Sequence, residues 1–310
     1  MKIYKGYSDF KAIKPVVTIG MFDGVHRGHI SLIDRVVDRA SSIHGEAVAL
    51  TFNPHPRIVL SKGDKSLRFL TSLDEKVSLL ERAGLEHLVI IPFTKDFSRM
   101  AACDFVKEVL HDGLNSRNLV VGFDHQFGHR GKGSAYTVGE CASKYGFSME
   151  RVEPYIMNEV PVSSSVIRGL IKSGNLELAK NLLGYDYFLK GRVVEGQRIG
   201  RAMGYPTANL KPDYDFKLIP GSGVYAVEVE LENIFYKAML YIGTRPTLPE
   251  SDGKISIEAH LLNYDGDLYD KAISIHFRHR LRGDIKFANR DLLKKQIDKD
   301  KKDTIRILNA

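Results

Sequence analysis

Short apolar, β-branched runs recur through the first half of the chain, at residues 16–19, 47–52, 87–92, 119–122 and 149–152. Between them the apolar positions shift to a helical period, as in Ile30, Ile33, Val37 and Ala40, with Gly45 as a stop. Further helices fit 74–83, 104–111 and 138–145. Strands alternating with helices in this way predict an α/β unit with a parallel sheet covered by helices.

After Ser163 the pattern becomes two helices, SSSVIRGLIKSG and NLELAKNLLG, punctuated by Gly174 and Gly184. Beyond Gly184 the class changes. Short runs at 187–194, 224–231, 236–242, 255–262 and 272–277 are separated by Gly, Pro, Asn and Asp. Several alternate strictly, as in VYAVEVEL and ISIEAHLL. This pattern predicts a small antiparallel β-barrel closed by a C-terminal helix from about Asn289. The expected domains are therefore 1–183 and 184–310.

Composition narrows the class. The chain has 310 residues, 43% of them apolar, enough to fill two ordinary cores. No apolar stretch is long enough to cross a membrane, and the segment MKIYKGYSDFKAIK lacks the apolar core of a signal peptide. A cytoplasmic protein without a membrane partner is expected. Cys103 and Cys141 are too isolated in sequence to suggest a disulfide framework or a zinc site. The net charge of +7 raises nucleic acid as a partner, but residues 271–310 alone hold twelve Lys/Arg against five Asp. The excess reads as a solvated face of the last helix, and no nucleic-acid partner is expected. The sequence leaves a homo-oligomer open.

Chemistry gathers where the strands end. His26-Arg27-Gly28-His29 follows the first long strand and opens a helix, where free N–H groups and the helix dipole favour an anion. Gly24 and Gly28 allow close backbone approach. A metal pair and a plain structural turn are the alternatives. Asn53-Pro54-His55-Pro56 closes the next strand as a stiff loop, either for a ligand or as a simple proline turn. Ser163-Ser164-Ser165 precedes Arg168 on one helix, and reads equally as a phosphate cradle or an ordinary N-cap.

Taken in order, GMFDGVHRGH, NPHP, GFDHQFG and SSSVIR resemble the adenylyltransferase half of the bacterial bifunctional riboflavin kinase/FMN adenylyltransferase (FAD synthetase) family. GYPTANL, IGTRPT, EAHLLNYDGDLYD and LRGDIKF resemble its flavokinase half, so the likeness spans nearly the whole chain. It implies a Rossmann-like nucleotidyltransferase domain followed by a flavokinase barrel, and two reactions. Riboflavin and ATP would give FMN and ADP; FMN and ATP would give FAD and pyrophosphate, both with Mg²⁺. The alternative is a chain that retains only one of the two activities.

The resemblance also assigns residues. His26 and His29 match the signature that stabilises charge on the α-phosphate of ATP, within a nucleotide-binding loop that includes Gly20, Phe22, Asp23 and Gly24. Asn53 and His55 match the second signature, and Ser164, Ser165 and Arg168 the segment that holds the leaving phosphates. Asp124 falls where the family contacts nucleotide or flavin, next to His125 in place of a usual Phe. In the second half Gly200, Gly204 and Pro206 belong to the flap and loop over the phosphates, and Thr207 and Asn209 match the Mg-ATP ligands. Glu258 matches the general base for the riboflavin hydroxyl; by alternation alone it reads as an exposed strand residue. Arg282, Asp284 and Phe287 fall in the flavin-contact segment, with Asp284 where a Glu is usual.

Overall fold

The computed structural model describes residues 1–61, 63–64, 66–123, 135–196, 204–244 and 255–309. The chain divides into two compact units, Met1–Ser164 and Ser165–Ala310.

The first unit is a six-stranded sheet with every pair parallel, formed by β1 (Lys2–Lys5), β2 (Val16–Ile19), β3 (Ala47–Asn53), β4 (His87–Pro92), β5 (Asn118–Gly122) and β6 (Ser148–Val152), in the order β1-β4-β3-β2-β5-β6. Successive residues of a strand face opposite sides, so Val16 and Val17 enter two different cores. One core lies under α1 (Arg27–Ser42) and α3 (Leu73–Arg82), with Ile33, Val36 and Leu80 buried. The other lies under α4 (Ala102–Phe105), its π-helical continuation Val106–Gly113, and α5 (Ala135–Lys144). Burial on both faces is why these strands read as continuous apolar runs rather than alternating ones. A short helix α2 (Pro56–Leu60) follows β3, and a small hairpin, β7 (Ile156–Met157) with β8 (Val160–Pro161), follows β6.

Chain order reverses between β2 and β5: β3 and β4 lie on one side of β2, and the chain then returns to place β5 on the other. In open α/β sheets ligands bind outside the carboxyl ends of the strands at such a point. Here that place is the loop beginning at Gly20.

The second unit opens with α6 (Ser164–Ser173) and α7 (Leu176–Leu183), which ends at Gly184 with φ +90°. A closed antiparallel barrel follows, from β9 (Phe188–Val194), β10 (Ala208–Pro212), β11 (Gly223–Leu231), β12 (Ile234–Thr244), β13 (Ile255–Leu261) and β14 (Ala272–Arg282). Its circular order is β10-β13-β12-β11-β14-β9. Tyr225 and Phe277 are buried inside it with their rings edge to face, 5.4 Å apart. Helix α8 (Arg290–Asn309) closes the chain.

The packing units divide at Ser164/Ser165, with α6 and α7 fastened to the barrel. Arg280 Nη1 donates to the Ser173 carbonyl at 3.0 Å, and the Lys172 carbonyl lies so close to Gly221 that a Cβ there would meet it at 2.2 Å. The two cysteines, distant in sequence, are joined as a disulfide between α4 and α5, with Cα atoms 5.6 Å apart.

Candidate functional sites

The loop from Gly20 to His26 connects β2 to α1 through an unusual backbone. Phe22 and Val25 have positive φ (47° and 36°), a region that costs a non-glycine residue free energy and recurs at ligand sites. Phe22 and Val25 are buried in the core beneath α1, which holds the loop in this form. Gly24, at φ +86°, is suited to its turn. Its N–H donates to Thr71 Oγ1 at 3.0 Å, while Asp23 Oδ1 accepts the N–H groups of Leu70 and Thr71 at 2.7 and 3.1 Å. The loop is thereby stitched to the segment that leads into α3. Ser164 closes it from another side, its hydroxyl donating to the Asp23 carbonyl at 2.9 Å.

His26 is the N-cap of α1, and its Nδ1 accepts the backbone N–H of His29. An accepting Nδ1 places the proton of the neutral ring on Nε2, which becomes a hydrogen-bond donor at the helix N-terminus. The His29 ring stacks on His26 at 3.7 Å and meets the edge of Phe22 at 5.4 Å. Burial, then the neighbouring charges of His26 and Lys76, hold His29 well below the usual imidazole range, so it stays neutral. Its Nδ1 is buried with no hydrogen-bond partner among the described residues. Gly28 fits here because a Cβ would sit 3.2 Å from the His26 ring and 3.3 Å from the Val162 carbonyl.

His55 repeats the His26 device. It caps α2, its Nδ1 accepts the Arg57 N–H at 3.1 Å, and its ring stacks on Phe69 at 4.2 Å. Asn53, exposed at the carboxyl end of β3, precedes it through a cis Asn53–Pro54 bond. Ser165 and Arg168, which begin the second unit, are joined by an Nη2 to Oγ hydrogen bond of 3.0 Å. Asp124 and His125 lie outside the described residues.

In the barrel, alternation holds along β13: Ile257, Ala259 and Leu261 are buried, while Ser256, Glu258 and His260 are half-buried on the opposite face. Glu258 is directly opposite Asn209 on β10 and Tyr241 on β12, so the three share a face. Its carboxylate accepts Ser256 Oγ at 2.9 Å and Thr207 Oγ1 at 3.3 Å. Tyr241 is pushed up to about 12 by burial, then by hydrogen bonding to Asp284 and the negative charges of Asp284 and Glu258. A cleft of about 710 Å³ opens beside Thr207, walled by the end of β9, Pro206–Ala208 and the connection Tyr264–Tyr269. That volume suits a nucleotide-sized ligand. Pro206 presents its carbonyl to His260 Nδ1 at 2.8 Å; a carbonyl only accepts, so this ring donates through Nδ1. Gly204 lies at φ +83°, and Gly200 is outside the described residues.

Arg282 is committed to Asp300 of α8, with Nε and Nη2 at 3.0 and 2.8 Å from Oδ2. Phe287 stacks on its guanidinium at 5.8 Å. Lys76 and Tyr241 were not legible in the sequence, since a lysine on an amphipathic helix and a tyrosine in an alternating strand carry no signal; the Tyr264–Tyr269 wall lies within the EAHLLNYDGDLYD motif already singled out.

A family model described as FAD synthetase matches residues 10–166, and one described as riboflavin kinase matches residues 183–308. The bifunctional riboflavin kinase/FMN adenylyltransferase of Bacillus subtilis (strain 168) is 35% identical over 295 residues, covering 94% of this chain and 92% of that one. The protein of the same description from Escherichia coli (strain K12) is 34% identical over 286 residues, covering 92% and 90%. A solved structure described as a macrolide-efflux protein from Streptococcus pneumoniae matches with a TM-score of 0.86 and 30% identity over 97% of each chain. Among the described residues no helix is long and apolar enough to cross a membrane.

A nucleotide-binding sheet and a flavokinase barrel in one chain define a fused transferase, with a nucleotidyltransferase half and a kinase half. The chain belongs to the bifunctional riboflavin kinase/FMN adenylyltransferase family.

Proposed function

We propose that the loop after β2 carries adenylylation of FMN, and that the barrel face around Glu258 carries phosphorylation of riboflavin. The observation that carries the first assignment is the His26–His29 pair at the N-terminus of α1, at the sheet's switch point. Residues 1–183 are assigned to the adenylyltransferase and 184–310 to the kinase; the family matches at 10–166 and 183–308 support a division of this kind.

In the first half an oxygen of the FMN phosphate attacks the α-phosphorus of ATP as the bond to pyrophosphate breaks. Both reacting groups are already ionised, so no general base is required, and catalysis rests on positioning and charge stabilisation. His26 donates through Nε2, His29 lends a neutral imidazole, and the α1 N-terminus adds its dipole. Asp23 shapes the loop through its bonds to Leu70 and Thr71. Asn53 and His55 line the neighbouring strand end, and Ser164, Ser165 and Arg168 serve the leaving phosphates.

In the second half Glu258 accepts the proton of the ribityl hydroxyl as that oxygen attacks the γ-phosphorus. Ser256 and Thr207 fix the carboxylate's orientation. Thr207 and Asn209 offer oxygen donors beside Glu258, which fits Mg²⁺ held by few protein ligands and by phosphates. When bound, the ion neutralises phosphate charge. The reading places the protein in the compartment that holds ATP, the cytoplasm.

Incubation with riboflavin, ATP and Mg²⁺, with chromatographic separation of flavins, tests the reading. FMN should appear first and FAD after it. FMN alone would mean that only the kinase half is active.

A further inference from the structure

Lys76, whose charge reaches His29, has no role in the mechanism proposed above for the adenylylation loop. It lies in the second turn of α3 and is only 6% exposed, although a lysine is almost never buried without a partner. Among the described residues it has neither a hydrogen bond nor an ion pair to its ammonium group. Its position is fixed rather than incidental. Asp23 and Gly24 bind Leu70 and Thr71, and Ser72 with Glu75 forms a capping box that starts α3 immediately afterwards. The helix is thus registered against the loop, with Lys76 one turn in.

The charged and titratable groups that face Lys76 are few. Asp23 is the attractive one, but its carboxylate is already engaged by two backbone N–H groups. His29 is on the repulsive side, with His26 stacked against it. The positive charge of Lys76 thus acts on a ring at a helix N-terminus whose own Nδ1 has no hydrogen-bond partner among the described residues. Positive charge and a helix N-terminus are poor neighbours for one another and good neighbours for an anion.

We propose that Lys76 is a catalytic residue of the FAD synthetase half, its ammonium contacting the phosphoryl group transferred from ATP. This rests on the assignment of adenylyl transfer to the loop after β2. One bond forms, from the FMN phosphate oxygen to the α-phosphorus, and one breaks, from that phosphorus to the pyrophosphate oxygen. Lys76 moves no proton. It supplies fixed positive charge where negative charge accumulates on the oxygens of the transferred group and on the leaving pyrophosphate. Burial holds the ammonium at about 8 in the free protein, and a triphosphate beside it would keep it charged.

The test uses the full chain with FMN, ATP and Mg²⁺, scored for FAD, with riboflavin phosphorylation measured in parallel. Lys76→Met should lower kcat for FAD by roughly 10²-fold or more, leave kinase turnover unchanged, and leave the thermal midpoint undiminished. Lys76→Arg, which keeps the charge, should recover much of the loss. Wild-type kcat/KM should fall as pH rises through about 8, and Lys76→Arg should hold its activity to higher pH. Wild-type turnover in Lys76→Met overturns the proposal. So does recovery of FAD formation in the Asp23→Asn/Lys76→Met pair, which would make Lys76 only a neutraliser of Asp23. His29→Ala run alongside separates the two levels: if it too retains FAD formation, the assignment of the reaction to this loop fails as well.

Discussion

The imidazoles of His26 and His29 lie face to face, ring centroids 3.7 Å apart and 17° from parallel, and the backbone N–H of His29 donates to Nδ1 of His26. Two positive rings could not stand so close in a buried loop, so the geometry requires that at least one be neutral. Burial and the charges of His26 and Lys76 make His29 that ring. In a pH titration followed by NMR, its midpoint should fall well below that of an exposed histidine. A midpoint at the ordinary imidazole value would mean that water reaches the ring.

His29→Ala should lower FAD formation by roughly 10²- to 10³-fold, the usual loss when one donor leaves a preorganised charge site. Phosphorylation of riboflavin should remain near wild type, because that chemistry uses the barrel. Parallel steady-state assays of the two reactions provide the check.

At the barrel site shape and basicity can be separated. Glu258→Gln keeps the contacts to Thr207 and Ser256 within reach but removes the base, and should lower kcat for FMN by about 10²-fold or more. Thr207→Ala should instead raise KM for ATP through a lost oxygen ligand. If Glu258→Gln turned over like wild type, Glu258 would be an ordinary strand residue and the base would lie elsewhere.

Arg282 and Asp300 form a fastening for α8, with both side chains largely out of solvent. Asp300 also accepts Gln296 Nε2 at 2.8 Å. Asp300→Ala takes the carboxylate from a partly buried guanidinium that keeps the Gly283 carbonyl, and should cost about 1–3 kcal/mol. Urea unfolding followed on the barrel should show the midpoint shift, with kinase activity lost at lower denaturant.

The packing boundary gives a fragment test. Residues 165–310 keep α6 and α7 on the barrel, whereas 184–310 removes Leu176, Ala179, Leu182 and Leu183, all buried. The longer fragment should unfold at higher temperature and phosphorylate riboflavin more durably. Equal melting of the two would show that α6 and α7 add nothing to the barrel.

Most of this was legible in the chain because burial on two faces, or on alternate residues, writes itself into sequence. The strands β2 and β4 matched their apolar runs, and β13 matched its alternation. What escaped was set by long-range geometry. Strand β1 is the polar KIYK at the sheet edge, and most of it stays exposed. Strand β10 is short and ends in Pro212, which reads as a turn until β9 and β13 flank it. The Cys103–Cys141 pairing depends on α4 and α5 meeting over one face of the sheet, which spacing does not encode. Lys76 looks like solvated helix surface until α3 is laid against the loop at Asp23. The site histidines were visible as a motif, yet their proton positions came only from the capping geometry.

Two chemistries at two sites in one chain are separated most directly by a single product analysis. Wild type, His29→Ala and Glu258→Gln are each given ATP and Mg²⁺ with either riboflavin or FMN, and the flavins are resolved by chromatography. Wild type should yield FAD from both flavins; His29→Ala should stop at FMN; Glu258→Gln should make almost nothing from riboflavin but normal FAD from supplied FMN. Parallel loss of both products in either variant would contradict the two-site account.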